Sequence, residues 1–581
     1  MVRAPEGAKA VRFGCRLEAV RPGLERNNRR YAWVDGIAWG RAMDFRVQGK
    51  TVGNVFQEEE VAFDLKVGDD FPTHVAVEVY DFWDRRLDRF EWSPEKGGDV
   101  DRLELGKMDP GYYELRWTLQ APEGFLSRSG ATSFCVLRAP DEPVRPAAIA
   151  VDGALSWFYR RQDLVDVSEL CRKIGLQCIR DRMNWDQVER ERGKFDPDFL
   201  DTSATVQHEA GMEVYQDFGG TPPWALNEED RGGSLPADLF DVYRVMRNLT
   251  SHFRGRVDSW EIWNEPYHAN EFSGRPDEYV AYLKAAYCGC KAGNPDSVVL
   301  TCSFNTEPTL WGDRAVENGA LEYADLYNFH SYSRKENLVE NIGLHRKRMI
   351  DYGRKLPMWL TEDGSRCRRD VLASRLAGEQ IAARYAVEWA VMSLAEGVDR
   401  HFYFVVPEMF EGAEGPWGIL RKDLTPKPHV DPSALDVAEE PIHWPRSEEA
   451  VPQNPQERMV WFHVKTRGLD RDLPSGEYGG DLRLAVQTSP TGATHPLSVM
   501  AYNFSGEDVD LKISVKCPVG LGVSSENVSL RVPAFGKATQ NLELLTSEMA
   551  PDREYRVVFT GEAEGFRITD SVVYFQKRSS P

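Results

Sequence analysis

Three patterns of apolar and polar positions follow one another along this chain. Up to about residue 145 the apolar residues alternate. In "HVAVEVY", Val75, Val77 and Val79 are separated by His74, Ala76 and Glu78, and in "YELRWTL", Tyr113, Leu115, Trp117 and Leu119 are separated by Glu114, Arg116 and Thr118. A period of two turns one face of a strand to a core and the other to water, which predicts an antiparallel β-sandwich over 1–145.

From Asp163 the period lengthens. "DLVDVSELCRKIG" carries Leu164, Val167, Leu170 and Ile174 at helical spacing, with Asp163 as expected N-cap and Gly175 as stop. "LFDVYRVMRNLTSHF" repeats the scheme with Leu239, Val242, Met246, Leu249 and Phe253, and Ile381, Tyr385, Trp389 and Met392 do so ahead of Gly397. Short β-rich runs alternate with these helices near 148–151, 176–180, 213–217, 259–263, 298–302, 326–330, 358–361 and 401–405. Eight strands with intervening helices predict a (β/α)8 TIM barrel over 146–432. An open doubly wound sheet is the alternative, although no glycine-rich phosphate turn follows any strand.

Seven prolines between Pro426 and Pro455 then interrupt all periodicity and predict a linker at 433–456. Strand alternation returns in "LKISVKC", with Leu511, Ile513, Val515 and Cys517, and predicts a second antiparallel β-sandwich over 457–581. The fold class is therefore α/β, a barrel flanked by two sandwiches.

Composition narrows the function. A net charge of −21 excludes nucleic-acid binding by a broad basic surface. No apolar run reaches the roughly 20 residues of a membrane span, so no membrane partner is expected. No signal-length apolar core opens the chain. The expected location is secreted or periplasmic with the signal absent from this sequence, the alternative being cytoplasmic. Nine cysteines form no paired framework, although a disulfide is not excluded. They contain no CxxC, and no HExxH occurs, so neither a structural zinc nor a catalytic metal is expected. Oligomeric state is not readable.

The chemistry concentrates at strand ends, where barrels carry their sites. "DSWEIWNEPYH" runs from the fourth strand into Asn264-Glu265-Pro266, and Pro266 cannot continue a ladder. "MWLTEDG" closes the seventh strand with Glu362, beside Asp363, which is an alternative carboxylate. Two carboxylates across a barrel mouth suit glycosidic cleavage: one protonates the leaving oxygen and the other meets the developing oxocarbenium ion. Different ionisation is required of them, the acid raised and the nucleophile kept charged.

"WEIWNEP" resembles the acid/base motif of the clan A glycoside hydrolases, retaining enzymes on (β/α)8 barrels. "IGLQCIRDRMNWDQVERERGKFD", "GMEVYQDFGGTPPWA", "ADLYNFHSY", "LPMWLTEDG" and "WGILRKDLTPKP" resemble further segments of that clan in the same order, the style being closest to families 39 and 5 with neither settled. The resemblance covers roughly residues 147–430. It implies Glu265 as acid/base, Glu362 as nucleophile, Asn264 on a sugar hydroxyl, Arg180 beside Glu362, and His330 and Tyr332 on sugar or nucleophile. It implies retention, a carbohydrate substrate and no cofactor. One departure is the eighth strand, "HFYFVVPE", which lacks the tryptophan many members place there; Phe404 or Trp417 is the expected substitute.

Trp185, Trp224 and Trp311 fall in loops after strands and are expected either to stack on sugar or to pack between loop and barrel. Arg366, Arg368 and Arg369 follow the nucleophile, with Arg334 and Lys335 after the sixth strand. These cations suit an anionic sugar or pair locally with Asp363, Asp370 and Glu336. The alternatives to hydrolysis are a carbohydrate-binding protein without turnover, or a transglycosylase on the same site.

Overall fold

The computed structural model of the protein describes residues 44–57, 59–122, 127–138, 148–226, 234–268, 271–367, 375–410, 416–430, 458–466, 487–488, 494–550, 553–563 and 565–576. The expected boundary at 145 and the expected linker at 433–456 fall outside them, as do Arg368 and Arg369.

Eight parallel strands form the central sheet: Ile149–Asp152, Cys178–Asn184, Glu213–Gly219, Ser259–Ile262, Val298–Leu300, Tyr327–His330, Met358–Asp363 and Arg400–Phe404. The first pairs with both the second and the eighth. Parallel bridges Leu300–Leu326 and Phe304–Phe329 join the fifth to the sixth. The sheet thus curls into a nearly closed barrel, and the open-sheet alternative falls. Ala150, Cys178, Tyr215, Leu300, Trp359 and Phe402 fill its interior. Tyr215 meets Trp359 and Phe402 with ring centroids 5.6 and 5.4 Å apart, making an aromatic floor under the strand ends.

The helices follow the predicted stripes. Leu164–Lys173 buries Leu164, Val167, Leu170 and Cys171. Its expected cap, Asp163, makes no capping bond and pairs with Arg160 at 2.8 Å instead. Leu239–His252 is capped by Asp238, which accepts from the Phe240 amide. The described cysteines are all unpaired. Among the described residues no helix is long and apolar enough to cross a membrane.

Ahead of the barrel lie a three-stranded sheet (Phe45–Gly49, Val61–Val67, Val100–Gly106) and a five-stranded sheet (Val55–Gln57, Arg128–Leu137, Gly111–Gln120, His74–Asp81, Arg86–Trp92). Val75, Val77, Val79, Leu115 and Leu119 share their core. Two features depart from simple alternation. Val55–Gln57 runs parallel to Arg128–Leu137. Glu114, expected on the wet face, is buried between the Tyr112 hydroxyl at 3.3 Å and Arg116 at 3.0 Å. Arg421, after the eighth strand, locks this unit to the barrel by donating to Tyr112 at 3.2 Å, while Ser133 donates to the Pro426 carbonyl at 2.6 Å.

Beyond the barrel, a four-stranded and a five-stranded sheet pack together. Leu511, Ile513 and Val515 are buried as the alternation predicts. The seam with the barrel is apolar: Phe504 lies 4.6 Å from Tyr243 and 4.7 Å from Phe240, both on the helix Leu239–His252. Ionic contacts rim it, including Arg314–Glu554 at 2.6 Å and Lys537–Asp238 at 2.7 Å.

Candidate active site

The strand Ser259–Ile262 ends in a contorted turn. Trp263 and Glu265 adopt φ of +76° and +41°, a left-handed backbone that costs a residue with a side chain of order 1–3 kcal/mol. Surrounding contacts impose it. Trp263 donates its amide to the Phe218 carbonyl (2.8 Å) and its indole to the Glu271 carbonyl (3.2 Å), and its ring meets Phe272 and Tyr282 edge to face. The Glu265 amide donates to Ser303 Oγ at 2.9 Å. The aromatic run therefore anchors a turn that directs one carboxylate inward, which explains why Asn-Glu-Pro sits among large apolar side chains.

Glu362 faces it from the seventh strand. Its Oε1 accepts from Arg182 at 2.9 Å and from Arg180, and its Oε2 accepts from the Tyr332 hydroxyl at 2.8 Å. Arg180 is fully buried and also bonds Asp152 (2.6 Å), Glu261 (2.8 Å) and Asn264 Oδ1 (2.8 Å). The second strand continues to Asn184, so Arg180 sits within it rather than at its end. Asp363, the alternative carboxylate, points to the other side: it is fully buried, 3.5 Å from His401, and joins none of these bonds. Glu362 is the carboxylate the cleft presents.

His330 links the two glutamates. Its Nδ1 lies 2.8 Å from Glu265 Oε1 and 3.6 Å from Glu362 Oε2. Burial favours a neutral imidazole, but the flanking Glu362 and Glu265 raise His330 above its ordinary value. Burial pushes the Glu265 carboxyl up, yet the hydrogen bond and charge of His330, with help from His268 and Tyr267, bring it down to about 2. Burial likewise raises Glu362, and His330, Arg180 and Arg182 outweigh it, so this carboxyl too sits below its usual range. The expectation of a raised acid is not met, because the hydrogen bond and charge of His330 favour the ionised form of Glu265 over the neutral form that burial favours.

The tryptophans divide. Trp185 is fully buried, donates to Glu189 at 2.9 Å and edges onto Trp224 at 5.5 Å. Trp224 donates to the Glu189 carbonyl and lies between Arg192 and Arg244. Both therefore pack between loop and barrel, and the stacking expectation for Trp185 is wrong: a ring without exposed surface has no face to offer a sugar. Trp311 is also nearly buried, against Tyr267 and Tyr279. Trp417 stands at the site. Its ring lies 5.7 Å from Tyr332 and 5.4 Å from Phe404, with the Arg366 guanidinium 5.0 Å from its centroid. Gly418 permits this approach, since at φ +101° a Cβ would fall 2.1 Å from the Pro407 carbonyl oxygen.

Sequence reading missed Arg182, Asp152 and Glu261. Arg182 donates to Asp152 Oδ2 at 2.7 Å as well as to Glu362. The signal was present: in "CIRDRMN" positions 180 and 182 share the inward face of a strand. Asp181, between them, turns outward and accepts from Ser156, Ser203 and Gln207. Glu265, His330 and Glu362 also bring three ligand-type atoms within 4.8 Å of one another, a spacing that suits a cation. The guanidinium groups of Arg180 and Arg182 already supply positive charge to Glu362.

No protein-family model matches the chain. Part of it is 24% identical over 134 residues to endo-1,4-beta-xylanase A of Phanerodontia chrysosporium and 27% identical over 136 residues to endo-1,4-beta-xylanase of Agaricus bisporus. Each match takes in 22% of this chain, and the chain spans 32% and 40% of those two xylanases. Among solved structures, a family 39 glycoside hydrolase from the gut symbiont Bacteroides cellulosilyticus WH2 aligns with a TM-score of 0.53 at 15% identity. The alignment covers 86% of this chain and 100% of that one. At that identity the likeness is one of fold: the chain shares its overall architecture, the eight-stranded parallel barrel included, with that glycoside hydrolase.

Proposed function

We propose that the protein is a retaining glycoside hydrolase that cleaves O-glycosidic bonds of a poly- or oligosaccharide by double displacement. In this reading Glu265 is the acid/base and Glu362 the nucleophile. The observation that carries it is their separation: an oxygen of each lies within 4.8 Å of the other. Retaining pairs stand about 5–5.5 Å apart, whereas inverting pairs need about 6.5–9.5 Å to admit water.

The surroundings support these roles. Arg180 and Arg182 hold Glu362 ionised for attack on the anomeric carbon. Tyr332 holds the other oxygen and orients it. Asn264, its Oδ1 fixed by Arg180, keeps an amide donor for a sugar hydroxyl. Proton supply follows from the His330–Glu265 hydrogen bond. A bound sugar expels water and disfavours the ion pair, so the proton passes along the 2.8 Å bond and Glu265 becomes the neutral acid. After departure of the leaving group, Glu265 is a carboxylate able to take a proton from water. The partial matches to xylanases make β-1,4-linked xylo-oligosaccharides the first substrates to try.

The test is turnover on a panel of aryl glycosides and β-1,4-linked oligosaccharides, with the first-formed anomer read by proton NMR. Glu265→Gln and Glu362→Gln should each lose activity by about 10²–10⁴-fold while still binding the sugar. An inverted first product refutes the mechanism. A wild type that binds sugar without turnover leaves a lectin-like role, and lengthened products in the presence of an acceptor indicate transglycosylation.

A further inference from the structure

The barrel mouth carries an aromatic side chain that the proposed chemistry leaves unused. Trp157 sits on the short helix Leu155–Phe158 that follows the first strand, and it is 50% exposed in a protein whose other site tryptophan, Trp417, is 7% exposed. The helix is pinned. Ser156 donates its amide and its hydroxyl to Asp181 Oδ1 at 3.0 and 2.8 Å, and the hydroxyl also lies 2.8 Å from the Arg182 carbonyl. The Arg182 guanidinium lies 5.4 Å from the centre of the Trp157 ring and donates to Glu362 at 2.9 Å. Trp157 is thus one side chain away from the nucleophile, on its Oε1 side. Tyr332, 41% exposed, flanks the Oε2 side.

We infer that Trp157 forms a stacking platform for a pyranose ring of the substrate, next to the sugar held between Glu265 and Glu362. This rests on the hydrolase reading and deepens it by assigning a subsite. An indole covered by a guanidinium near one side and left half open to solvent offers a flat apolar surface to the C–H face of a sugar, whose hydroxyls stay free for polar partners. Because its helix is already fixed to Asp181 and the second strand, little ordering opposes the contact. Phe158, 41% exposed on the same turn, extends the apolar rim.

The test compares Trp157→Ala and Trp157→Phe with wild type, using xylotetraose, cellotetraose, mannotetraose and the corresponding 4-nitrophenyl monosaccharides. Affinity is read as KM and, in a Glu362→Gln background, by calorimetry. Trp157→Ala should weaken tetrasaccharide affinity about tenfold, equivalent to about 1.4 kcal/mol, with kcat and the monosaccharide KM little changed. Trp157→Phe should recover part of the affinity. A purely structural role through Arg182 would instead lower kcat on every substrate alike, and that outcome overturns the inference. Unchanged tetrasaccharide affinity with active wild type overturns it while leaving the hydrolase reading intact. A wild type that neither cleaves nor binds any panel sugar overturns both.

Discussion

Arg182→Met removes one of the two guanidinium groups on Glu362 while keeping an unbranched side chain in the barrel wall. Unit charges 2.9 Å apart attract by about 6 kcal/mol at an effective dielectric of about 20. Much of that is offset, because Arg180 remains on the same oxygen and water fills the vacated space. The net loss is about 2 kcal/mol, and it moves the Glu362 ionisation upward. The sign follows from the wild type. Glu362 is held below its ordinary range when folded, so its stabilising contribution is present above the unfolded value and lost as pH falls through the folded one. The variant loses it at higher pH. The assay is kcat/KM on an aryl glycoside the wild type cleaves, measured from acid to neutral pH, with thermal unfolding at each pH. The acid limb should move to higher pH while the rate near neutrality changes less than about tenfold. A folded variant whose acid limb stays in place refutes the claim that these arginines keep the nucleophile charged.

His330→Asn removes the group that stores the proton. In the wild type the alkaline limb of kcat/KM should lie above the ordinary histidine value, because His330 is raised by both glutamates; in the variant Glu265 titrates alone and the limb must move. An unmoved limb refutes the proton store. Asp217→Asn should be nearly silent for activity at pH 6–7, because burial and Glu261 raise the Asp217 carboxyl to about 8 and keep it neutral there. A carboxyl raised on folding makes stability fall as pH rises from its unfolded value toward 8, so the variant should also gain a few degrees in Tm at neutral pH. Phe504→Ala opens the apolar seam with Tyr243 and Phe240 and should cost about 3 kcal/mol of stability, read by thermal unfolding, with kcat/KM of the folded fraction unchanged.

The barrel was legible because its eight short strands and amphipathic helices are spaced by local periodicity, which one sequence carries in full. Glu265 was legible for a related reason: Pro266 ends a strand at a fixed place, and barrel sites lie at strand ends. What escaped depends on contacts across the ring. Alternation puts Arg182 on the inward face beside Arg180, but its partners appear only when the first, second and seventh strands bring Asp152 and Glu362 to it. Exposure of loop aromatics is equally non-local. Trp185 and Trp157 both follow strands, yet one lies under Trp224 while the other faces solvent. The polar side of the alternation failed at Glu114 because two neighbours, Tyr112 and Arg116, supply the partners that make its burial tolerable.

The charges of the site form a consistent set. Asp152, Glu261, Glu265 and Glu362 face Arg180, Arg182 and a His330 raised toward the imidazolium form. In the proposed double displacement, moving a proton from His330 to Glu265 leaves the net charge of this set unchanged. Protonation of the leaving oxygen removes one positive charge from the site. Capture of the sugar by Glu362 removes one negative charge. The sum is therefore the same before the first displacement and after it, while the surplus negative charge between them coincides with the positive charge developing on the sugar. An ionised Asp217 would add a further anion beside Glu261, 3.9 Å from an Arg180 already shared among Asp152, Glu261 and Glu362. Burial, with the charge of Glu261 added, raises the Asp217 carboxyl, the response of a buried acid whose neighbouring guanidinium groups are already shared.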